Sequence, residues 1–429
     1  MVSIASTSAP APRSPRPATP RFGGHRRGHA TVAAVRRRVL LVQSALTPYG
    51  GGEGVCAWIL EALRADHHLS LLTWEAPDFA ALDAFFGTSL ASAGIEVRRA
   101  RSWLPAPLRR GPTARQLRHW ALQAEARLQR DVDLLMAAEE ESDLGGHGIQ
   151  YLHFPRLRYV DPATSAAGPA ARRFGHALYR RAAARATGFS LARMRRNVTI
   201  VNSDWTGAEV KRLHGIETTT IHPPAVGPFA RVAWAEREDG FVAIGRIVPE
   251  KRLELIIDIV ARVREAARAG APSTGDLPEL PLHIVGGASD PAYEARVTAL
   301  ARAAGPWVHL HRHLSRAALV ALLARHRYGI HGMAEEHFGM AVAEMVSAGM
   351  IPFVPHGGGQ VEIVRDERLL WRSPEEAVQK VIAVRSSPAA QASVRETLAA
   401  QVPALGPERF MREIRALVRA TLAGGAGSP

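Results

Sequence analysis

Short strand-like runs recur along this chain, each closed by a turn and followed by a stretch of helical periodicity. They fall at 39–42, 69–74, 96–99, 134–137, 149–152 and 198–201, then again at 241–244, 282–285, around 309–313, at 328–330 and at 351–354. Val39-Leu40-Leu41-Val42 is apolar at every position, which suits a strand buried on both faces of a parallel sheet. Strands alternating with helices predict an α/β chain of doubly wound parallel sheets. At 429 residues the chain exceeds one ordinary core. The Pro- and Gly-rich stretch that follows Ile221-His222-Pro223-Pro224 interrupts the alternation. The expected division is therefore a tail over 1–37, a first Rossmann-like domain over 38–229, a second over 230–407 and a closing helix over 408–422.

Composition excludes several classes. A hydrophobic content of 47% with 22% charged residues is that of a globular protein. No run reaches the 18 or so consecutive apolar residues that a membrane span needs. Cys56 is the single cysteine, which excludes an intrachain disulfide framework and a Cys-rich zinc site, and fits a cytoplasmic setting. Residues 1–38 hold eight arginines and no acid, so removing them brings the net charge from +14 to +6. That basic, Pro-, Ala- and Ser-rich tail reads as a disordered, solvated extension without the apolar segment of a secretory signal, and no nucleic-acid partner is expected from it.

The stretch with most chemistry is Glu335-Glu336-His337-Phe338-Gly339-Met340-Ala341-Val342-Ala343-Glu344. Phe338, Ala341, Val342 and Met345 recur at helical spacing, so a helix is expected directly after His337. Its first backbone N–H groups, over 337–340, would lack intrahelical partners and form an anion site at the positive end of the helix dipole. Glu344 would then lie two turns in, about 12 Å along the axis. Such spacing suits a phosphate at the helix tip, a sugar near Glu336 and a ribose near Glu344. A chain with 40 acidic residues holds many Glu pairs eight apart, so the spacing gains meaning only from its context.

Further polar groups fall at strand ends. Gly50-Gly51-Gly52-Glu53 follows the first strand and precedes a helix through Val55, Ile59 and Leu63, where glycine lets backbone approach an anion. His153, in Tyr151-Leu152-His153-Phe154-Pro155, sits at the carboxyl end of a strand, the end where ligands bind in open α/β sheets. Asn202 or Ser203 would cap the helix running to His214. Gly245-Arg246-Ile247-Val248-Pro249-Glu250-Lys251 places two cations around a turn, suited to clamping a diphosphate. Asp131-Val132-Asp133 reads as a solvated turn and not as a metal-binding pair. His309, His311 and His313 share one strand face and raise a metal reading, without carboxylates to support it. Arginines over 172–196, and Trp103, Leu104, Arg109, Arg110 and Trp120 over 103–130, are basic amphipathic stretches that read either as solvated charged faces, the more frequent case, or as helices lying on an anionic bilayer.

In order, Gly50–Glu53, the strand-end His153, Asn202-Ser203, the His-Pro-Pro turn, Gly-Arg-x-x-Pro-Glu-Lys, Glu336…Glu344 and Gly357-Gly358-Gly359 resemble the family 4 retaining glycosyltransferases. The resemblance spans roughly residues 39–422. It implies the GT-B fold, two Rossmann-like domains facing a cleft, with the last helix crossing back to the first domain. It implies a metal-independent enzyme with no cofactor beyond its nucleotide-sugar donor, in which Arg246 and Lys251 hold the diphosphate, Glu336 the sugar, Glu344 the ribose, and His153 faces the sugar from the opposite wall. Gly51, Gly52, His337, Phe338, Gly339 and Met340 would complete the donor site. Two departures stand out: Gly54 where a basic residue is common, and Arg252 where the family has glycine. Glu-His-Phe-Gly, Tyr-Leu-His-Phe-Pro and Val-Asn-Ser-Asp-Trp-Thr look most like the GDP-mannose-dependent α-1,2-mannosyltransferases of lipid-linked oligosaccharide assembly. A lipid-linked or other glycan acceptor and contact with the inner face of an anionic membrane follow as expectations. UDP-sugar donors, a GT-B phosphorylase or epimerase, and a non-catalytic sugar-nucleotide-binding protein are the alternatives.

Overall fold

The computed structural model describes residues 36–101, 114–157, 170–229, 232–269, 279–312 and 314–425, with backbone alone at 170–174, 176 and 425. Several expectations lie outside these residues: the tail up to 35, Trp103, Leu104, Arg109, Arg110, His313, and the side chains of Arg172 and Arg173.

Two parallel sheets carry the chain. The first is built from β1 (Arg38–Val42), β2 (His68–Thr73), β3 (Glu96–Arg99), β4 (Leu134–Ala137), β5 (Ile149–Leu152), β6 (Val198–Val201) and β7 (Thr219–Thr220). Their order in space is β3-β2-β1-β4-β5-β6-β7. The second contains β8 (Glu238–Ile244), β9 (Leu282–Val285), β10 (Val308–His311), β11 (His326–Ile330), β12 (Ile351–Pro355) and β13 (Leu370–Trp371), ordered β10-β9-β8-β11-β12-β13. Every pairing between these strands is parallel. The two-residue edge strands β7 and β13 are too short to show a periodicity in sequence.

Alternation along the central strands explains why their sequences are apolar throughout. In β1, Val39 and Leu41 enter the main core of the first sheet while Leu40 and Val42 pack into a second cluster on its other face. In β8, Phe241 and Ala243 enter one cluster and Val242 the other. Successive side chains of a strand point to opposite faces, so a sheet covered by helices on both sides needs apolar residues at every position.

The last helix, Pro407–Gly425, belongs to the first sheet's core. Phe410, Ile414 and Val418, four residues apart and fully buried, join the cluster formed by the helix Gly51–Leu63. Arg415 fastens the contact by donating Nε–H to the Ala62 carbonyl at 2.6 Å. The helix Pro388–Ala399, absent from the sequence reading, precedes this crossing.

Other expectations meet defined partners. Asp131 pairs with Arg98 at 2.6 Å and Asp133 accepts the Arg38 backbone N–H at 2.7 Å, so both acids are structural turn residues. His309 and His311 lie on β10, His283 packs beside them on β9, and no metal-binding group of three ligands is formed among the described residues. No described helix is long and apolar enough to cross a membrane.

Candidate active site

The carboxyl ends of β1 and β5 and the loops after β8 and β11 supply the polar groups of the cleft between the sheets. The glycine stretch is itself the start of a helix: Gly51–Leu63 begins at Gly51, with Gly50 as its cap, instead of after a longer loop. A Cβ on Gly51 would lie 3.1 Å from the Met340 side chain, and one on Gly52 would lie 3.3 Å from His153 Nε2. These two glycines thus bring the first sheet's helix tip against both the second sheet's helix and the strand-end histidine.

His153 donates Nε2–H to the Ala138 carbonyl at 2.9 Å. A carbonyl only accepts, so the neutral ring keeps Nδ1 as its acceptor. Burial pushes the His153 pKa below the ordinary histidine value and favours that neutral form. Asn202 Nδ2 anchors the His153 carbonyl at 2.9 Å.

Glu336 is the charged centre of the second sheet's side. The same carboxylate oxygen, Oε2, takes an ion pair from Lys251 and a hydrogen bond from His331 Nε2 at 2.8 Å. Burial would raise its pKa, but the Lys251 charge and the His331 hydrogen bond hold it well below the usual carboxylate range. His331, 2% exposed, was missed in sequence. It directly follows β11, so the rule that singled out His153 at a strand's carboxyl end applies to it equally. Arg246 is exposed in the turn after β8, beside Gly245, while Lys251 closes the short helical turn Pro249–Lys251. Arg252 carries φ +49°, the left-handed conformation that glycine adopts most readily.

The helix after Glu336 starts later than expected. It runs Met340–Ser347, with Gly339 as its cap at φ +103°, and its first backbone bond runs from Ala343 N to Gly339 O at 2.9 Å. The amides left free by the helix are therefore those of 339–342 and not 337–340. Glu344 accordingly lies about 6 Å, or little more than one turn, from the helix start instead of two turns in. The reason is the loop 357–359, which wraps the peptides before the helix. Gly359 N donates to the Glu336 carbonyl at 2.7 Å, and a Cβ on Gly358 would lie 2.2 Å from that oxygen.

The remaining predicted donor residues divide between ligand wall and core. His337 stacks on Phe154 at 3.9 Å and 9°. Its carbonyl accepts hydrogen bonds from the Ser203 and Thr206 hydroxyls at 2.5 and 3.2 Å. Burial lowers the His337 pKa to about 4. Phe338 is 2% exposed and belongs to the second sheet's core, so only its backbone can meet a ligand. Glu344 pairs with Arg316 at 2.8 Å, and burial raises its pKa despite that cation.

Sequence reading also missed a contact between the sheets. The Glu362 carboxylate accepts the backbone N–H groups of Asp204 and Trp205, both at 2.9 Å, and bonds His222 Nε2 at 3.1 Å. A carboxylate at the start of the helix Asp204–His214 is favoured by the free amides and the dipole there. Ser203, one of two expected caps, is the cap, accepting from Thr206 N at 3.0 Å.

Residues 228–398 match the family described as "Glycosyl transferases group 1". The chain is 30% identical over 187 residues to the GDP-Man:Man(3)GlcNAc(2)-PP-Dol alpha-1,2-mannosyltransferase of Dictyostelium discoideum, covering 40% of this chain and 36% of that protein. It is 28% identical over 175 residues to the enzyme of the same description from Homo sapiens, covering 38% and 35%. The matched region thus spans about a third of the length of these curated relatives. Among solved structures, the sucrose-phosphate synthase of Thermosynechococcus elongatus superposes with TM-score 0.66 at 18% identity, over 91% of this chain and all of that one. WaaG, a glycosyltransferase involved in lipopolysaccharide biosynthesis, superposes with TM-score 0.63 at 15% identity, over 88% and 99%. At these identities the superpositions establish the fold. The chain has the GT-B fold, and residues 228–398 of its second half are similar to the glycosyl transferases group 1 family.

Proposed function

We propose that the chain is a retaining glycosyltransferase moving a hexose from a nucleotide sugar to a glycan acceptor without a metal ion. The observation that carries this reading is Lys251 against Glu336, with His331 behind the acid and His153 on the facing wall. Transfer from a nucleotide sugar requires stabilising the charge that develops on the leaving diphosphate. Arg246, Lys251 and the free amides at 339–342 supply that charge complement. On donor arrival Lys251 shifts from the carboxylate to the diphosphate, and Glu336, still held by His331, accepts from the sugar hydroxyls. Neutral His153 faces the sugar with an acceptor nitrogen, and Glu344 takes the ribose hydroxyls. Positioning these groups before the reaction removes most of the reorganisation the barrier would otherwise include.

The finer reading is GDP-mannose as donor and a lipid-linked oligosaccharide as acceptor, supported by the relatives' activity and by the motifs around Glu336, His153 and Ser203. Work at the cytoplasmic face of an anionic membrane fits the helix Ala170–Thr187, where Leu178 is 59% exposed beside exposed Arg181 and Arg185. Nucleotide release from a panel of GDP- and UDP-sugars, with and without EDTA, tests the reading. EDTA-resistant release confined to GDP-mannose supports class and donor together. Release from a UDP-sugar alone keeps the class and discards mannose. Nucleotide binding without turnover on any donor overturns the enzyme reading.

A further inference from the structure

Arg316 sits at the first position of the helix Arg316–Arg325, whose first turn holds no acid. A cation there opposes the helix dipole and gains nothing locally. Its side chain is only 16% exposed, and its partners come from elsewhere in the fold. One arm of the guanidinium pairs with Glu344 at 2.8 Å, and the other donates to the Val226 carbonyl in the segment joining the two sheets. Glu344 has 14% of its side chain exposed, and among the described residues Arg316 is the cation paired with it. A buried carboxylate without a partner neutralises itself by taking up a proton, and then no longer offers acceptors only. The planar fork fits two acceptors at once, which a lysine ammonium on a flexible stem does not reproduce.

We propose that Arg316 is a positioning residue for the donor ribose. It keeps Glu344 ionised and aimed at the ribose hydroxyls, and ties that aim to the interdomain segment at Val226. The proposal rests on the reading of Glu344 as the ribose acceptor given above. Recognition of the ribose then depends on where the segment lies, so the same arginine reports the relative placement of the two sheets to the donor site.

The test compares binding of GDP and 2′,3′-dideoxy-GDP by calorimetry to the full chain and to Arg316→Lys, Arg316→Met and Glu344→Gln, each checked for an intact thermal transition. The unaltered protein should prefer GDP by about tenfold, the size of a typical coupling between two groups. Both Arg316 variants should lose most of that preference while binding the dideoxy nucleotide within about twofold of the unaltered protein, a selective effect that general destabilisation does not produce. Adding Arg316→Met to Glu344→Gln should change nothing further. A preference retained in both Arg316 variants overturns the role of Arg316 alone. Equal binding of the two nucleotides by the unaltered protein overturns the ribose reading of Glu344 on which it stands.

Discussion

His331 donates Nε2–H to Glu336 Oε2 at 2.8 Å, from beneath the carboxylate that Lys251 grips. The acid is thereby held in one orientation by a group separate from the Lys251 cation.

Glu336→Gln should lower turnover by about 10²- to 10³-fold, the usual scale for losing one preorganised polar contact in the transition state. Its melting transition should persist, because the amide can still accept from His331. Nucleotide release alongside circular dichroism melting measures both. A variant that transfers at the unaltered rate removes Glu336 from the site.

Glu362→Ala should separate the sheets energetically. Two backbone N–H groups and His222 lose a charged acceptor with 17% of its side chain exposed. Hydrogen bonds to a charged group are worth about 1.5–3 kcal/mol, so a comparable loss is expected in urea denaturation. Glu362→Gln should recover part of it, since one amide oxygen still accepts. A midpoint equal to that of the unaltered protein contradicts the contact's importance.

The imidazole cluster on the second sheet predicts an acid-sensitive fold. Burial, followed by the neighbouring His326, His309 and His311, pushes the His283 pKa down to about 3. The unfolded chain takes up this proton near pH 6.5, so between pH 6.5 and 3 it binds more protons than the folded one. Stability is therefore full above pH 6.5 and declines as the pH falls. His283→Gln should flatten the urea midpoint between pH 6.5 and 4, and an unchanged slope assigns the acid limb to other groups.

Arg252→Gly should be neutral to stabilising. The left-handed backbone at φ +49° costs a residue with a Cβ about 1–2 kcal/mol, while glycine adds about 0.5–1 kcal/mol of unfolded-state entropy. A gain of up to about 1 kcal/mol is expected, with donor affinity unchanged. Thermal denaturation decides it, and a loss of stability means that the Arg252 side chain outweighs its backbone strain.

Most of the fold was legible because strand and helix periodicities are local properties. Leu134–Ala137, Ile149–Leu152, Val198–Val201 and Leu282–Val285 each declare themselves within four residues, and the helices between them leave a parallel sheet as the outcome. His153 could be singled out for a related reason, since it directly follows such a run, and Glu336 and Lys251 because they precede an expected helix and close a turn with Arg246. Their partners could not. Glu336 meets Lys251 from 85 positions away, Glu362 meets Asp204 from 158, and Arg316 finds Glu344 across two elements. The helix after Glu336 begins at Met340 because a distant glycine loop wraps the preceding peptides, a constraint with no trace in the apolar spacing. A buried charge must be matched by whatever the topology places beside it, and that match is set by chain crossings instead of neighbours in sequence.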